Sequence, residues 1–136
     1  MLDFIAIGLG PFNLSLASLL HEKTELSYLF FEKKAQFDWH AGMQLPNTVL
    51  QVPFMADLVS MVDPTSPLSF LNYLKTQQRL YKFYFLEQQH IPRSEYNHYC
   101  QWVADQLSHI QYQSTVKAIY AKSEGYEVVV EQGGRF

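Results

Sequence analysis

Two glycines set the terms for this chain. The segment Gly8-Leu9-Gly10-Pro11-Phe12-Asn13 follows the apolar run Phe4–Ile7 and opens a stretch rich in Phe12, Leu14, Leu16, Ala17, Leu19 and Leu20. The short run reads as a buried strand of a parallel sheet. The denser stretch, to about Leu20, reads as a helix buried on most of its surface. A second apolar run, Leu26 to Phe31, ends at Glu32-Lys33-Lys34. Strand, glycine turn, helix and strand within about 30 residues make a βαβ unit. In that setting Gly8 permits the tight turn. Gly10 lets the backbone approach a pyrophosphate, which also gains from the helix N-terminus. Asn13 stands where a third glycine is usual, so helix–strand packing must differ there. Glu32 lies 22 residues after Gly10, at the strand end where a carboxylate accepts hydrogen bonds from a ribose. The bland alternative is a glycine turn of any α/β unit, with Glu32 as a solvated strand end.

From Phe37 to about Pro67 no period is sustained, and Pro46, Pro53, Pro64 and Pro67 interrupt the segment. It reads as a long structured loop with a short helix near Met55–Met61, and loops of that length in compact domains usually carry function. Ser66 and Pro67 are placed to cap and open a helix running through Phe70, Leu71 and Leu74 to about Gln78. Ser94 is placed to cap another, with Tyr96, Tyr99, Cys100, Val103 and Leu107 on one face. Thr115–Lys122 and Tyr126–Glu131, around Glu124-Gly125, read as a β-hairpin. Gly133-Gly134 reads as a further turn with no strand after it, which leads us to expect an incomplete piece of a larger protein.

Composition narrows the function. Ten basic and 13 acidic residues among 136 give a net charge of -3, and no Lys/Arg stripe marks a nucleic-acid surface. No apolar run of 18 residues points to a membrane span. Cys100 is the single cysteine, so no internal disulfide framework exists and a cytoplasmic setting is the expectation. His21, His40, His90, His98 and His109 show no metal-ligand spacing, so no metal is expected.

Four stretches carry a more specific likeness. Gly8-Leu9-Gly10-Pro11-Phe12-Asn13-Leu14, Phe37-x-Trp39-His40-x-Gly42-Met43, Leu50-Gln51-Val52-Pro53-Phe54 and Asp63-Pro64-Thr65-Ser66-Pro67-x-Ser69-Phe70-Leu71-Asn72-Tyr73-Leu74 follow one another in order. Arg93-x-Glu95-Tyr96-x-x-Tyr99-x-x-Trp102 continues the pattern. Together they resemble the flavin-dependent N-hydroxylating monooxygenases, the lysine, ornithine and diamine N-monooxygenases of siderophore biosynthesis. The resemblance implies a Rossmann-like α/β fold, with residues 1–136 as the N-terminal part of an FAD-binding domain. An NADPH-binding domain and the remainder would lie outside. It implies FAD held by Gly8, Gly10, Pro11, Asn13, Glu32, Lys34, Trp39 and His40, with Val116 touching the adenine end through its backbone. Gln51 matches a glutamine beside the isoalloxazine and is the candidate for orienting flavin or peroxide. The implied partners are a primary amine, O2 and other copies of the same chain.

One departure bears on the substrate. Amino-acid hydroxylases of this family carry a lysine five residues after that glutamine, paired with the substrate's α-carboxylate. Here the position is Ala56. A methyl group neutralises no buried carboxylate, and an unpaired one is costly. The expected substrate is therefore a decarboxylated amine such as putrescine, cadaverine, diaminopropane or a histamine-like compound, hydroxylated through a flavin C4a-hydroperoxide. Trp39, Met43, Phe54 and Met55 are candidates for the apolar pocket. The alternatives are an L-ornithine or L-lysine N-monooxygenase, and an FAD-binding fragment without catalysis.

Overall fold

The computed structural model describes residues 1–21 and 25–132. The Gly133-Gly134 turn expected from the sequence lies outside them. Strand β1 (Phe4–Ile7), helix α1 (Pro11–Leu20) and strand β2 (Tyr28–Phe31) form the βαβ unit. β1 and β2 pair in parallel, Phe4 opposite Tyr28 through Ile7 opposite Phe31. Strand β3 (Ile110–Gln111) adds to the other edge of β2, also in parallel. Between β2 and β3 the chain runs through a long loop, broken by one 3-10 turn at Ala41–Met43, and then helices α2 (Phe70–Thr76), α3 (Leu80–Leu86) and α4 (Arg93–Ala104). Strands β4 (Ser114–Lys122) and β5 (Gly125–Gln132) form the expected hairpin, with a register shift between Val116 and Ala118. The architecture is thus mixed α/β with a three-stranded parallel sheet.

The core explains why these elements meet. Leu14 of α1, Phe30 of β2, Phe70 of α2 and Tyr99 and Val103 of α4 are fully buried. Each such side chain contributes roughly 1.5–3 kcal/mol by leaving water. Phe70 and Tyr99 meet edge to face at 5.4 Å. The Tyr99 hydroxyl donates to Leu68 O at 2.8 Å, so the buried phenol is satisfied. Burial pushes the pKa values of the Tyr99 phenol and Cys100 thiol above their ordinary range, which leaves both neutral. No helix among the described residues is long and apolar enough to cross a membrane.

Several local expectations are corrected. β1 is only partly buried and Ile7 is exposed, because β1 forms one edge of the sheet. α1 buries one face, through Leu14, Ala17 and Ser18, while Phe12 points to solvent. No helix forms near Met55–Met61. The Asp57 carboxylate instead organises a turn, accepting from Val59 N, Ser60 N, the Ser60 hydroxyl and Phe70 N at 2.6–2.9 Å. Those bonds compete with helix formation for the same amides. The cap of α2 is Ser69, whose hydroxyl accepts from Asn72 N, while Ser66 accepts from Leu68 N and Pro67 stays outside the helix. α4 begins at Arg93 after Pro92, so Ser94 lies within its first turn and caps nothing. Helix α3 and strand β3 were not expected at all.

Candidate nucleotide-binding site

The site grows from the turn between β1 and α1. Gly8 has φ +81°, a conformation open to glycine at no steric cost. Its amide donates to Phe31 O at 2.8 Å, tying the turn to the end of β2. The next amide, Leu9 N, donates to Glu32 Oε2 at 2.6 Å. Gly10 is the N-cap of α1 and supplies no side-chain cap; Pro11 takes the first helical position, where its missing N–H costs nothing. A Cβ on Gly8 or Gly10 would meet no protein atom within 4 Å. The backbone of the turn therefore faces open space, and a ligand can reach the first-turn amides.

Asn13 acts on the turn from below. Its side-chain amide donates to Gly8 O at 2.8 Å and to Ile7 O at 3.3 Å. This is the altered packing expected where the third glycine is missing: a hydrogen bond to the strand end replaces close contact. Asn13 is not among the residues that line the cavity.

Glu32 is 6% exposed. Besides Leu9 N, it accepts Lys34 N on Oε1 at 2.9 Å. Two amide donors satisfy the buried carboxylate, and each oxygen keeps a lone pair for a further donor. Glu32 is thus a built part of the site and not a solvated strand end. Its backbone also receives Ser114 N at 2.9 Å, which brings the start of β4 to the same place.

A cavity of about 450 Å³ opens at this junction. Gly8, Gly10, Pro11, Glu32, Lys34, Trp39, His40 and Val116 all line it, so the structure gathers eight of the sequence-derived cofactor residues around one space. Lys33 and Asp38, within the Glu32 to His40 stretch that the resemblance assigns to the cofactor, also line it, while Ser114 and Thr115 line it and escaped the sequence reading. The pairing of β3 on β2 and the bond from Ser114 N to Glu32 O put the latter two there, and a two-residue strand carries no pattern of its own. Among the described residues no group of three or more His, Cys, Asp or Glu side chains is placed to hold a metal.

Gln51 and Ala56 stand elsewhere. Both are exposed, and neither lines the cavity. The segment that carries them is laced onto the start of α4. Leu50 N donates to Ile91 O at 2.9 Å, Arg93 N to Thr48 O at 3.0 Å and Phe54 N to Gln89 O at 2.8 Å. The four apolar candidates for an amine pocket do not enclose a common space. Trp39 lines the nucleotide cavity, Phe54 lines a separate groove with Phe83 and Tyr84 of α3, and Met43 and Met55 face solvent. Phe54 is drawn away by edge-to-face contact with Phe83 at 5.0 Å.

Comparison with known proteins follows the same lines. A family model described as L-lysine 6-monooxygenase/L-ornithine 5-monooxygenase matches residues 1–135. The rhizobactin siderophore biosynthesis protein RhbE of Rhizobium meliloti is 54% identical over 129 residues, covering 95% of this chain and 28% of that protein. A putrescine N-hydroxylase of Acinetobacter baumannii is 49% identical over 132 residues, covering 96% of this chain and 30% of the relative. Among solved structures, the FAD-bound cadaverine monooxygenase DfoA of Erwinia amylovora superimposes with a TM-score of 0.93 at 44% identity, over 96% of this chain and 31% of that one. The chain spans less than a third of the length of these relatives.

Proposed function

The chain belongs to the L-lysine 6-monooxygenase/L-ornithine 5-monooxygenase family, and on that premise we propose that residues 1–136 are the N-terminal part of an FAD-binding domain. The protein they belong to would hydroxylate a primary amine on nitrogen, using FAD, NADPH and O2, for siderophore biosynthesis. The observation that carries this reading is the single cavity at the glycine turn, with Glu32 anchored at its edge.

The residues present fit the cofactor. The turn offers open backbone amides for a pyrophosphate, and Glu32 has free lone pairs for ribose hydroxyls. Lys34, Trp39 and His40 border the same space, and Val116 lies at its β4 side. Bound flavin would supply the activated oxygen; the protein supplies position and exclusion of water. Gln51, in the segment tied to α4, would orient the reactive end. The amine must react unprotonated. From an alkyl ammonium pKa of roughly 10.4, that costs about 4–5 kcal/mol at pH 7, and an apolar surrounding lowers the cost by disfavouring the charged form.

The substrate we propose lacks a carboxylate: putrescine, cadaverine, diaminopropane or a histamine-like amine. Ala56 offers no charge where amino-acid hydroxylases of this family would carry one. The names of the relatives, a putrescine hydroxylase and a cadaverine monooxygenase, support the same class. We place the working protein in the cytoplasm as a homo-oligomer; the exposed Tyr81, Tyr84 and Phe85 of α3 would suit a covering surface. The test is a substrate panel with the complete protein: NADPH oxidation and hydroxylamine formation with the three diamines, histamine, ornithine and lysine. Preference for a decarboxylated amine supports the reading. Preference for ornithine or lysine would replace it with the amino-acid alternative, and absence of bound flavin would reduce the chain to a fragment without catalysis.

A further inference from the structure

Helix α3 is apolar almost all round and yet buries none of its residues. Six of its seven side chains, Leu80, Tyr81, Phe83, Tyr84, Phe85 and Leu86, are aromatic or aliphatic. A helix of that composition normally lies inside a protein. Here only Leu80 and Phe83 lean on the core. Phe83 meets Phe54 edge to face at 5.0 Å and Phe70 at 5.6 Å. Tyr81, Tyr84 and Phe85 share one face at i, i+3 and i+4 and are 81%, 71% and 76% exposed. Beside them runs a groove of about 740 Å³ walled by Phe54, Leu71 and Leu80. None of its lining residues belongs to the nucleotide cavity, so this face serves something other than the nucleotide.

Size and charge say what would cover it. An aromatic side chain buries roughly 150–250 Å² when fully covered, so at these exposures the three rings offer roughly 350–550 Å². That is about half of the roughly 800 Å² that a standard interface takes from each partner. Leu71 and Leu86 extend the face. Lys82 and Glu87 flank it, both exposed, and neither has an ion pair among the described residues. At about 100° per residue the two fall on opposite flanks; Glu87 lines the groove and Lys82 does not. They stand at nearly equal heights on either side of the step from Tyr84 to Phe85. A second α3, running antiparallel across a twofold axis through that step, answers both features. Its aromatic face covers this one, and each Lys82 comes level with the partner subunit's Glu87. A segment of different sequence has no reason to place opposite charges at equal distances from one centre.

We infer that two copies of the protein dock through α3, antiparallel about a twofold axis between Tyr84 and Phe85, with each Lys82 paired to the partner subunit's Glu87. The assignment rests on the homo-oligomer reading above and names its contact. Tyr84 and Phe85, whose rings meet at 5.3 Å, form the dry centre. Lys82 and Glu87 form the rim and set the orientation, because a parallel pair would hold each Lys82 more than a helical turn from the partner subunit's Glu87.

Sedimentation equilibrium of the complete protein tests this, with flavin absorbance read in the same samples. The unsubstituted protein is expected to self-associate. Lys82→Glu and Glu87→Lys each set like charges against one another at both rim contacts and should weaken self-association about tenfold or more. Mixed in equal amounts, the two variants should associate with each other to within about threefold of the unsubstituted protein, since every rim contact is again a pair of opposite charges. Phe85→Asp should abolish association. Lys82 and Glu87 are exposed, so their variants keep the test open where Phe85→Asp does not fold. A monomeric complete protein overturns the inference together with the homo-oligomer reading. An assembly untouched by all three substitutions overturns the inference alone. So does failure of the mixture to recover, which would remove the twofold pairing. A lowered unfolding midpoint in Phe85→Asp at unchanged assembly mass also overturns it and would assign the face to the rest of the same chain. Absence of flavin from the unsubstituted protein is a separate result and bears on the FAD reading.

Discussion

The backbone amide of Leu9 donates to Glu32 Oε2 at 2.6 Å, joining the glycine turn to the end of β2 across 23 residues of sequence. The carboxylate is therefore structural before any nucleotide arrives. Glu32→Ala is expected to leave two amides without their acceptor and to cost about 2–3 kcal/mol of stability. Glu32→Gln keeps the volume but places a donor among donors, and should weaken FAD binding by at least tenfold. Thermal unfolding and flavin fluorescence titration separate the two effects; unchanged affinity in Glu32→Gln would remove the ribose role.

Gly8 and Gly10 should respond differently to alanine. Gly8→Ala forces a Cβ into φ +81° and is expected to cost roughly 1–2 kcal/mol. At Gly10 the backbone is extended and a Cβ meets no protein atom, so Gly10→Ala should fold with an unchanged unfolding midpoint. It should nevertheless bind FAD more than tenfold less tightly, because the new methyl occupies the space of the ligand. Equal affinity in Gly10→Ala would show that the pyrophosphate does not use this turn.

Asp57 is a hub. Its Oδ1 accepts Val59 N and Ser60 N, and its Oδ2 accepts the Ser60 hydroxyl and Phe70 N. Asp57→Asn puts an NH2 group against some of these donors. We expect a loss of about 2–3 kcal/mol in chemical unfolding. Ser60→Ala, which removes a single donor, should cost about 1 kcal/mol or less.

Glu95 and Arg79 form a two-pronged pair at 3.0 and 2.6 Å, with the Tyr73 hydroxyl 2.9 Å from the same guanidinium. Burial alone would raise the Glu95 pKa, but the hydrogen bond and charge of Arg79 outweigh it and hold the carboxyl below its ordinary value. A lowered folded pKa means stability that is present above the unfolded value, about 4.3, and lost as pH falls through the folded one. The unfolding midpoint should therefore drop more steeply below about pH 4.5 in the unsubstituted protein than in Glu95→Gln. Because the pair is partly open to solvent, the difference at neutral pH is expected near 1 kcal/mol. Tyr73 is pushed up to about 12, mainly by burial, so its ultraviolet titration should trail that of exposed tyrosines.

Gln51→Ala tests the remaining assignment. Loss of an orienting amide should raise hydrogen peroxide release relative to hydroxylamine formation several-fold at similar NADPH oxidation. Unchanged coupling would count against any role for Gln51 at the flavin.

The βαβ unit was readable because three separate constraints agree on it: two apolar runs, a glycine turn and a carboxylate at fixed distance. The hairpin was readable from Glu124-Gly125 between β-branched runs. What stayed hidden depended on tertiary pairing. β3 is two residues long and exists because β2 offers it an edge. α3 hides in Leu80–Leu86, a run so aromatic that no polar face marks it as a helix. The cap of α2 was misplaced by three residues because Ser66 and Ser69 are both sound caps, and only the Asp57 turn decides between them. At the site, eight residues chosen from the sequence meet around one cavity. Ser114 and Thr115 join them through a backbone bond to Glu32 that no spacing announces.

The glycine turn is held from three sides: Gly8 N on Phe31, Leu9 N on Glu32, and Asn13 on the Gly8 carbonyl. A loop fixed in this way has little freedom left to surrender, so its ordering is charged to folding and not to capture. The consequence is kinetic. Arrival of the nucleotide should proceed at the pace set by diffusion and orientation, with no slow closing step of the turn, and substitutions around it should act chiefly on dwell time.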